Sequence, residues 1–281
     1  MKALDEFKNA MHAFRCPLCG GDLSVSGGSL VCEKRHCFDI SAKGYVNFLA
    51  KPVRSKYQKE LFECRRAVFR DGFYRHILEG VIDLIKKFGG TGRFTVLDAG
   101  CGEGYYALGL KEAFGERANV AALDIAKDAV IMAARGGSGI HWMVADITNI
   151  PLRDGSADVI ANIFTPSSYS EFSRVLKDGG LLVKVIPTEA YLKELREIAK
   201  EQLINKSCST EPVTEHFGRF FDVLGKRTVS KTLPVTKEQL SDFLKMTPMM
   251  LGVRTHELDT EDIKSVTIEA EILAGKAIAL C

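Results

Sequence analysis

The 281-residue sequence predicts an α/β fold: a seven-stranded, mostly parallel sheet covered by helices, with a small metal-binding domain at the amino terminus. Three observations lead to this prediction. Apolar segments typical of buried strands alternate with helical segments from Phe94 onwards, as in a parallel sheet with helices on both faces. A glycine-rich turn follows the first of these strands, at residues 100–104. Four of the eight cysteines fall within residues 16–37, which favours a metal site over disulfides in an intracellular chain.

The pattern of elements divides the chain into three parts: a zinc-binding domain over residues 1–50, a helical linker over 51–92 and an α/β domain over 93–281. A hydrophobic content of 46% and a charged content of 26% are ordinary for a globular protein. No apolar run approaches the ~20 residues that cross a bilayer. The amino terminus lacks the apolar core of a signal peptide. We therefore expect a cytoplasmic protein that does not enter the membrane.

The elements are expected in the following order. Residues 15–49 predict short strands and turns, because helix formers are few and a glycine-rich tip interrupts the segment. Helical periodicity over 56–70 and 75–88 predicts two linker helices. The strands of the α/β domain are expected at 94–97, 120–123, 140–144, 157–163, 181–186, 226–233 and 265–274, and its helices at 105–114, 127–134, 168–176, 189–203 and 236–245. The last two strands fit an antiparallel hairpin at one sheet edge, whereas 205–225 has no clear pattern.

The glycine-rich turn lies between a predicted strand and a predicted helix, where α/β folds bind nucleotides. Gly100, Gly102 and Gly104 permit a tight turn and a close approach of the backbone to a ligand. Their spacing is G-x-G-x-G and not the dinucleotide spacing G-x-G-x-x-G. Asp98 beside the turn would repel a pyrophosphate but suits the amino group and sulfonium of S-adenosylmethionine. Glu103, within the turn, either contacts the ligand or caps the following helix.

Two further acids end the next two predicted strands. Asp124 follows Gly104 by 20 residues, where an acid can accept hydrogen bonds from both ribose hydroxyls. Asp146 and its neighbour Ile147 end the third strand, where methyltransferases usually contact the adenine. Three acids at three successive strand ends predict the class I S-adenosylmethionine-dependent methyltransferase fold, which is Rossmann-like. The D-x-G-x-G-x-G turn resembles the first motif of that superfamily.

A C-x2-C-x12-C-x3-H spacing predicts a zinc site in the amino-terminal domain. Cys16 and Cys19 form one chelating pair, Cys32 and His36 form the other, and the loop between them lets the pairs complete a tetrahedron. Cys37, next to His36, is the alternative fourth ligand. Four protein ligands leave no open coordination position, so the predicted role of the zinc is structural.

The charge of the chain is unevenly distributed. Residues 1–70 hold 13 Lys+Arg and 7 Asp+Glu, a net charge of +6, so the remaining residues carry −4 of the total of +2. This excess makes the amino-terminal part a candidate surface for a polyanion. Arg65, Arg66 and Arg70 lie on a predicted helix and are candidates for phosphate contacts. The alternative interpretation in each case is a solvated charged face.

The chain resembles, nearly end to end, the bacterial large-subunit (23S) rRNA guanine-N1 methyltransferases, which join a zinc domain to a class I methyltransferase domain. The matching motifs are Cys-Pro-Leu-Cys at 16–19, the Cys32 and His36 pair, Lys-Gly-Tyr-Val-Asn at 43–47, Arg-Arg-Ala-Val-Phe at 65–69, the glycine-rich turn with its flanks at 97–106, and Met-Thr-Pro at 246–248. The glycine turn is shared by the whole superfamily, whereas the zinc spacing followed by Lys-Gly-Tyr-Val-Asn is typical of a much smaller group of proteins.

The resemblance implies methylation of N1 of a guanine in a hairpin loop of 23S rRNA, with S-adenosylmethionine and Zn²⁺ as cofactors. Some members of the family act at a position linked to macrolide resistance. The family's cofactor contacts correspond to Tyr74, Gly102, Glu103 and Asp124. The family has a further cofactor contact, a histidine, which falls near Tyr191. This chain carries no histidine at that place. By the same analogy the zinc domain and its basic neighbour would bind the RNA. For the oligomeric state, a homodimer is an alternative to the monomer.

The loop after the fourth predicted strand lies where the target base enters in methyltransferases. Asn162 is predicted to orient the base and Phe164 to stack on it; the alternative is that Asn162 caps a turn and Phe164 belongs to the core. Two other functions stay open: methylation of another RNA, a protein or a small molecule, and RNA binding without catalysis. The intact acids and glycines of the predicted cofactor site argue against loss of catalysis.

Overall fold

In the part of the chain that the structure describes, the central sheet has eight strands, of which one runs opposite to the other seven, and it carries helices on both faces. The computed structural model describes residues 7–8, 10–51, 53, 58–135, 139–203 and 209–278. The strands are β1 (Leu23–Ser26), β2 (Ser29–Cys32), β3 (Cys37–Asp39), β4 (Tyr45–Asn47), β5 (Phe94–Ala99), β6 (Ala118–Asp124), β7 (His141–Val144), β8 (Ala157–Ile163), β9 (Leu176–Pro187), β10 (Phe221–Pro234) and β11 (Ser265–Ala277).

The helices cover the sheet and the carboxyl ends of its strands. They are α1 (Lys59–Arg70), α2 (Arg75–Phe88), α3 (Tyr105–Phe114), α4 (Lys127–Ala134), α5 (Tyr169–Val175), α6 (Lys193–Ala199), α7 (Glu211–Gly218) and α8 (Lys237–Met246). Single 3-10 turns lie at Met11–Ala13, Gly115–Arg117, Pro248–Met250 and Thr255–Glu257. None of the helices in the described ranges has the length and apolar character needed to cross a bilayer.

The strand order of the large sheet is β10-β11-β9-β8-β5-β6-β7-β4. The chain leaves β5 towards β6 and β7 on one side and returns to β8 and β9 on the other, so the order reverses beside β5. Ligands of open α/β sheets bind at such a reversal, beyond the carboxyl ends of the strands. The predicted antiparallel hairpin is confirmed, because β11 pairs antiparallel with both β10 and β9.

The predicted class I methyltransferase fold is confirmed, with one strand more than expected. The seven predicted strands are β5 to β11, and the eighth is β4, which pairs parallel with β7 and places Tyr45 beside Trp142. This strand comes from the part of the chain that we predicted to be the zinc-binding domain. Strand pairing between residues almost 100 positions apart leaves no periodic signal in either segment, and so the sequence could not predict it.

Two local predictions differ from the structure, and one segment without a prediction contains a helix. The helix expected over 189–203 is shorter, because Leu192 has a left-handed backbone (φ 51°) and α6 begins only after it. Strand β9 begins directly after α5 and runs through the Asp178-Gly179-Gly180 turn that was expected to precede it. The segment 205–225, for which no element was predicted, contains α7, and its residues 205–208 lie outside the described ranges.

The amino-terminal zinc module, defined as residues 10–48, packs directly on one face of the large sheet. Its strands β1, β2 and β3 form an antiparallel sheet. Phe14, Phe38 and Phe48 share one hydrophobic cluster with Leu97 and Met143 of the large sheet. The module and the sheet therefore have a common core.

Candidate functional site

The glycine-rich turn joins β5 to α3 and has a backbone that only glycine adopts without strain. Gly100, Gly102 and Gly104 have φ angles of 92°, 54° and 93°. A Cβ on Gly104 would lie 2.7 Å from the indole of Trp142, so this glycine is required for close packing as well as for its φ angle. By contrast, the nearest atom to a Cβ on Gly102 would be an arginine nitrogen 3.8 Å away. The turn therefore has an open side at Gly102.

Three carboxyl groups surround this turn: Asp98 and Asp124, which were expected at strand ends, and Glu103 of the turn itself. Asp98 and Glu103 are buried, with 1% and 4% of their surface exposed. Asp124 accepts hydrogen bonds from the backbone N–H groups of Gly102 (2.9 Å) and Ala126 (2.8 Å). The Asp124 carboxylate thus holds the turn against the end of β6.

The environment of these acids disfavours negative charge. Burial, with Asp124 and Glu103 as further causes, raises the pKa of Asp98 to about 8. Burial raises the pKa of Glu103 to about 7, although Arg65 opposes the shift. The pKa of Asp124 is also raised by burial, against the two hydrogen bonds that it accepts. A cationic ligand would reverse this penalty by supplying the missing counter-charge.

Four buried polar atoms around the turn have no hydrogen-bond partner among the described residues. They are Asp98 Oδ2, Glu103 Oε1, Tyr106 Oη and Trp142 Nε1. Unsatisfied buried polar atoms are rare in folded proteins, and a group of them around one turn indicates a place for a polar ligand. The acceptors suit the ammonium and hydroxyl groups of S-adenosylmethionine, so the residues fit this cofactor.

Asp146 and Ile147 are half-buried at the carboxyl end of β7. One oxygen of the Asp146 carboxylate accepts hydrogen bonds from the backbone N–H (2.8 Å) and the hydroxyl (2.7 Å) of Thr148. The carboxylate therefore organises its own turn. The adenine contact that we predict for Asp146 and Ile147 stays a prediction.

Tyr74 lies at the start of α2 and faces the same cleft. Its hydroxyl is 2.6 Å from the hydroxyl of Tyr191, and burial, followed by Tyr191, raises its pKa well above the ordinary value. The rings of both tyrosines contact Phe164, with centroid distances of 6.1 Å from Tyr74 and 5.4 Å from Tyr191. Tyr191, near which the resemblance places a histidine of the family, thus lies beside the predicted cofactor contact Tyr74.

Phe164 occupies the loop after β8 with a left-handed backbone (φ 52°). Such a conformation is uncommon for a large side chain, and functional loops often contain it. The ring is half-buried. Sequence analysis gave two alternatives for this residue, stacking on a base and core packing. The ring packs against the main hydrophobic cluster, as core packing requires, and its exposed part leaves contact with a base as a prediction.

Asn162 lies below this loop and is fully buried. Its amide nitrogen donates to the carbonyl oxygens of Ala99 (3.0 Å) and Pro166 (3.1 Å), and its oxygen accepts from Ser167 (2.9 Å) and Lys184 (2.5 Å). All the hydrogen-bonding positions of the amide are thereby occupied. Its geometry suits a residue that positions the loop, and the predicted contact with a base is not tested.

Lys184 is a functional candidate that sequence analysis missed. It is buried in β9, donates to Asn162 and to the carbonyl oxygen of Thr165 (2.5 Å), and burial lowers its pKa to about 8. The signal in the sequence is a single lysine within an apolar strand, Leu-Leu-Val-Lys-Val-Ile-Pro. Such a lysine is expensive to bury unless its ammonium group is hydrogen-bonded, as it is here.

The structure brings the four predicted zinc ligands together and leaves Cys37 apart. The ligand atoms of Cys16, Cys19, Cys32 and His36 all lie within 4.8 Å of one another, whereas Cys37 is exposed. The Sγ atoms of Cys19 and Cys32 are 3.7 Å apart, and Nδ1 of His36 is 3.4 Å from Sγ of Cys16. A tetrahedron with ordinary Zn–S and Zn–N bonds has edges of about 3.8 Å and about 3.6 Å. The cluster therefore fits one zinc ion.

The comparisons with known proteins cover the zinc module and the methyltransferase sheet. A family model described as "RlmA, N-terminal" matches residues 14–59, and one described as "Methyltransferase domain" matches residues 96–180. YxjB of Bacillus subtilis (strain 168), provisionally named a 23S rRNA (guanine-N(1)-)-methyltransferase, is 37% identical over 93% of this chain and 96% of its own. The 23S rRNA (guanine(748)-N(1))-methyltransferase of Streptomyces fradiae is 32% identical over 86% of each chain. The solved structure of a SAM dependent methyltransferase from Aquifex aeolicus has a TM-score of 0.47 and 19% identity, covering 79% of this chain and 100% of that one.

Proposed function

Because the chain belongs to the 23S rRNA (guanine-N1)-methyltransferase family, we propose that it methylates N1 of a guanine in a hairpin loop of 23S rRNA. The observation that carries the proposal is the joint presence, in one chain, of the zinc ribbon of this family and a methyltransferase sheet with an intact acidic cofactor cleft. The relatives align across both parts and not only across the sheet. Because the substrate is ribosomal RNA, we also propose a cytoplasmic location.

The cofactor would be held by the acids and the tyrosine around the glycine turn. When bound, S-adenosylmethionine supplies a methyl group activated by its sulfonium. Asp98 would accept from the ammonium group, and Asp124 would accept from the ribose hydroxyls. Glu103 has an oxygen without a partner among the described residues, pointing into the same space. These charges orient the ligand and favour its cationic form, and orientation contributes a large part of the rate in such transfers.

The acceptor base would enter beside the loop after β8. A guanine can be methylated at N1 only after this atom leaves its Watson–Crick pair, which is easiest in a single-stranded loop. Phe164 offers the free guanine an aromatic surface. Asn162 and Lys184 fix the backbone of the loop from below and so fix the ring. We therefore assign Phe164 to base contact and Asn162 to positioning.

The zinc module would bind the RNA backbone. Lys34, Arg35 and Lys43 are exposed on the module. The positive side chains agree with the net charge of +6 in residues 1–70. Phosphate contacts of this kind give affinity that falls steeply with salt. Replacing Lys34 and Arg35 together by alanine should lower the slope of log affinity against log salt concentration by about 1 to 2, on the order of one unit for each phosphate contact that is lost.

The decisive experiment incubates the protein with methyl-labelled S-adenosylmethionine and protein-free large-subunit rRNA, and maps the label by mass spectrometry of nuclease fragments. A single 1-methylguanosine in a hairpin loop supports the proposal and identifies the position. Label on another base contradicts the assignment of the reaction while leaving the fold and cofactor in place. Cofactor binding without any transfer to RNA favours a different substrate or a non-catalytic RNA-binding protein. The molar mass measured in the same preparation by light scattering tests the homodimer.

A further inference from the structure

Arg65 differs from its neighbour Arg66 in its surroundings, although the sequence gives no reason to separate them. Arg65 is half-buried on the inner side of α1, and its Nη1 lies 3.8 Å from the position of a Cβ on Gly102. Its Nη2 donates to the carbonyl oxygen of Met246 at 3.2 Å. Arg66 is exposed and donates weakly, at 3.5 Å, to a carbonyl oxygen of α4. Only Arg65 of this pair therefore faces the open side of the glycine turn.

The guanidinium of Arg65 is held in place but not neutralised. A guanidinium has five N–H donors, and among the described residues that of Arg65 has one hydrogen-bond acceptor, a neutral carbonyl. The guanidinium carbon Cζ lies over the ring of Phe62, 5.6 Å from its centroid, a cation–π contact that adds no negative charge. The positive charge is close enough to oppose the upward pKa shifts of Glu103 and Asp124. The charge of Arg66 also acts on Glu103, but less than that of Arg65. Of the two arginines, Arg65 is the one that is half-buried beside the turn with unused donors.

The charges of the cofactor match this arrangement. S-adenosylmethionine carries two cationic groups, the ammonium and the sulfonium, and one anionic group, the carboxylate of its methionine part. The acids Asp98, Glu103 and Asp124 suit the cationic and hydroxyl groups but would repel the carboxylate. A carboxylate bound near this turn needs a cation with paired N–H donors, which is the geometry of a guanidinium.

We propose that Arg65 binds the carboxylate of the methionine part of S-adenosylmethionine. The inference rests on the proposed cofactor and adds a residue that determines cofactor specificity. Arg65 would bind the end of the methionine chain opposite the nucleoside, so that the ligand is held at both ends. It also disfavours a ligand that has the two cationic groups without the carboxylate.

The test measures binding by calorimetry without RNA, for two ligands and two variants. The ligands are S-adenosylmethionine and decarboxylated S-adenosylmethionine, which keeps the nucleoside, the sulfonium and the amino group. Arg65→Met removes the charge and the N–H donors but keeps an unbranched side chain on this face of α1. We expect it to weaken binding of S-adenosylmethionine about 10- to 100-fold, the loss typical of a hydrogen bond to a charged group, and to change binding of the decarboxylated ligand less than about threefold. Arg66→Met is the matched control and should change neither affinity more than about twofold.

Each outcome decides the proposal. Equal weakening of both ligands by Arg65→Met would overturn it, because a structural role of Arg65 does not distinguish the ligands. Unchanged affinity for S-adenosylmethionine would also overturn it, since the carboxylate would then bind elsewhere. Failure of the wild type to bind S-adenosylmethionine would refute the cofactor and the inference together. If Arg65→Met does not fold, Arg65→Lys replaces it: keeping the charge, it should retain the preference for the carboxylated ligand, and loss of affinity for both ligands alike would count against the proposal.

Discussion

Replacing Asp98 by asparagine tests whether the acidic cleft destabilises the ligand-free protein. The carboxyl group is buried, and one of its oxygens has no hydrogen-bond partner among the described residues. Burial and the nearby Asp124 and Glu103 raise its pKa from 3.8 to about 8. Asparagine has nearly the same shape and no charge. The variant should therefore be more stable than the wild type wherever the unfolded chain would carry a negative charge at this position.

The size of the effect follows from the pKa. Between pH 3.8 and about 8 the folded state keeps a proton that the unfolded state has lost, so the free energy of unfolding falls as the pH rises through this window. Below pH 3.8 both states are protonated and the penalty is absent. From about pH 5 to about pH 8 the loss accumulates over roughly three pH units, which corresponds to about 4 kcal/mol. Asp98→Asn removes this loss.

Urea unfolding of the zinc-loaded wild type and variant, at about pH 5 and about pH 8, measures the difference in their free energies of unfolding. We expect the gain in the free energy of unfolding of Asp98→Asn over the wild type to grow by several kcal/mol from the lower to the higher pH. Asp146→Asn, at a half-buried strand end, is the control and should show no such growth. Equal gains at both pH values would refute the reasoning. In the same variant the affinity for S-adenosylmethionine should fall at least about tenfold, because the ammonium group loses a charged acceptor.

Three further predictions concern the metal, the loop and the turn. Cys19→Ser should lose zinc in a metal assay and unfold at a temperature several degrees lower, whereas Cys37→Ser should keep the zinc content and the unfolding temperature of the wild type. Retention of zinc by Cys19→Ser would contradict the assigned ligands. Lys184→Met should lower kcat for RNA methylation about tenfold and leave the KM for S-adenosylmethionine within about threefold, because the side-chain amide of Asn162 loses its ammonium donor. An increase of KM alone would contradict a positioning role. Gly104→Ala should lower the free energy of unfolding in urea by about 2 to 4 kcal/mol, since the new Cβ lies 2.7 Å from an indole ring. Gly179→Ala, which has a positive φ but open space around it, should lower it by only about 1 kcal/mol. Equal losses would mean that backbone strain and not crowding decides.

The sequence predicts those parts of the site that depend on neighbours along the chain. Asp98 and Asp124 each follow an apolar run in the sequence, and three glycines mark the turn between β5 and α3. The zinc ligands follow a local spacing in the same way. Local signals of this kind do not depend on the tertiary structure, which is why both the fold class and the metal cluster could be predicted.

The parts that could not be predicted depend on distant packing. Arg65 and Arg66 are equivalent in the sequence, and only the phase of α1 against the glycine turn makes one of them a candidate cofactor contact. Lys184 acquires its role from Asn162 on the neighbouring strand, 22 residues away. For Asn162 the sequence offers contact with the base or the cap of a turn. The hydrogen bonds of its buried amide depend instead on β5, β8 and β9 lying side by side.

The position of the zinc module gives the metal a role beyond the folding of its own ligands. Strand β4, which follows the zinc cluster, pairs with β7, and β7 leads directly to the predicted adenine contact Asp146. After this acid, the side chain of Asn149 donates to the backbone oxygen of Pro17, between the first two zinc ligands (2.9 Å). The loop that carries Asp146 therefore has the zinc module as part of its support. Since removal of zinc releases Cys16 and Cys19 from a common ion, it should disturb this support as well. The zinc module is thus joined to the loop of the predicted adenine contact by a direct hydrogen bond and a shared core.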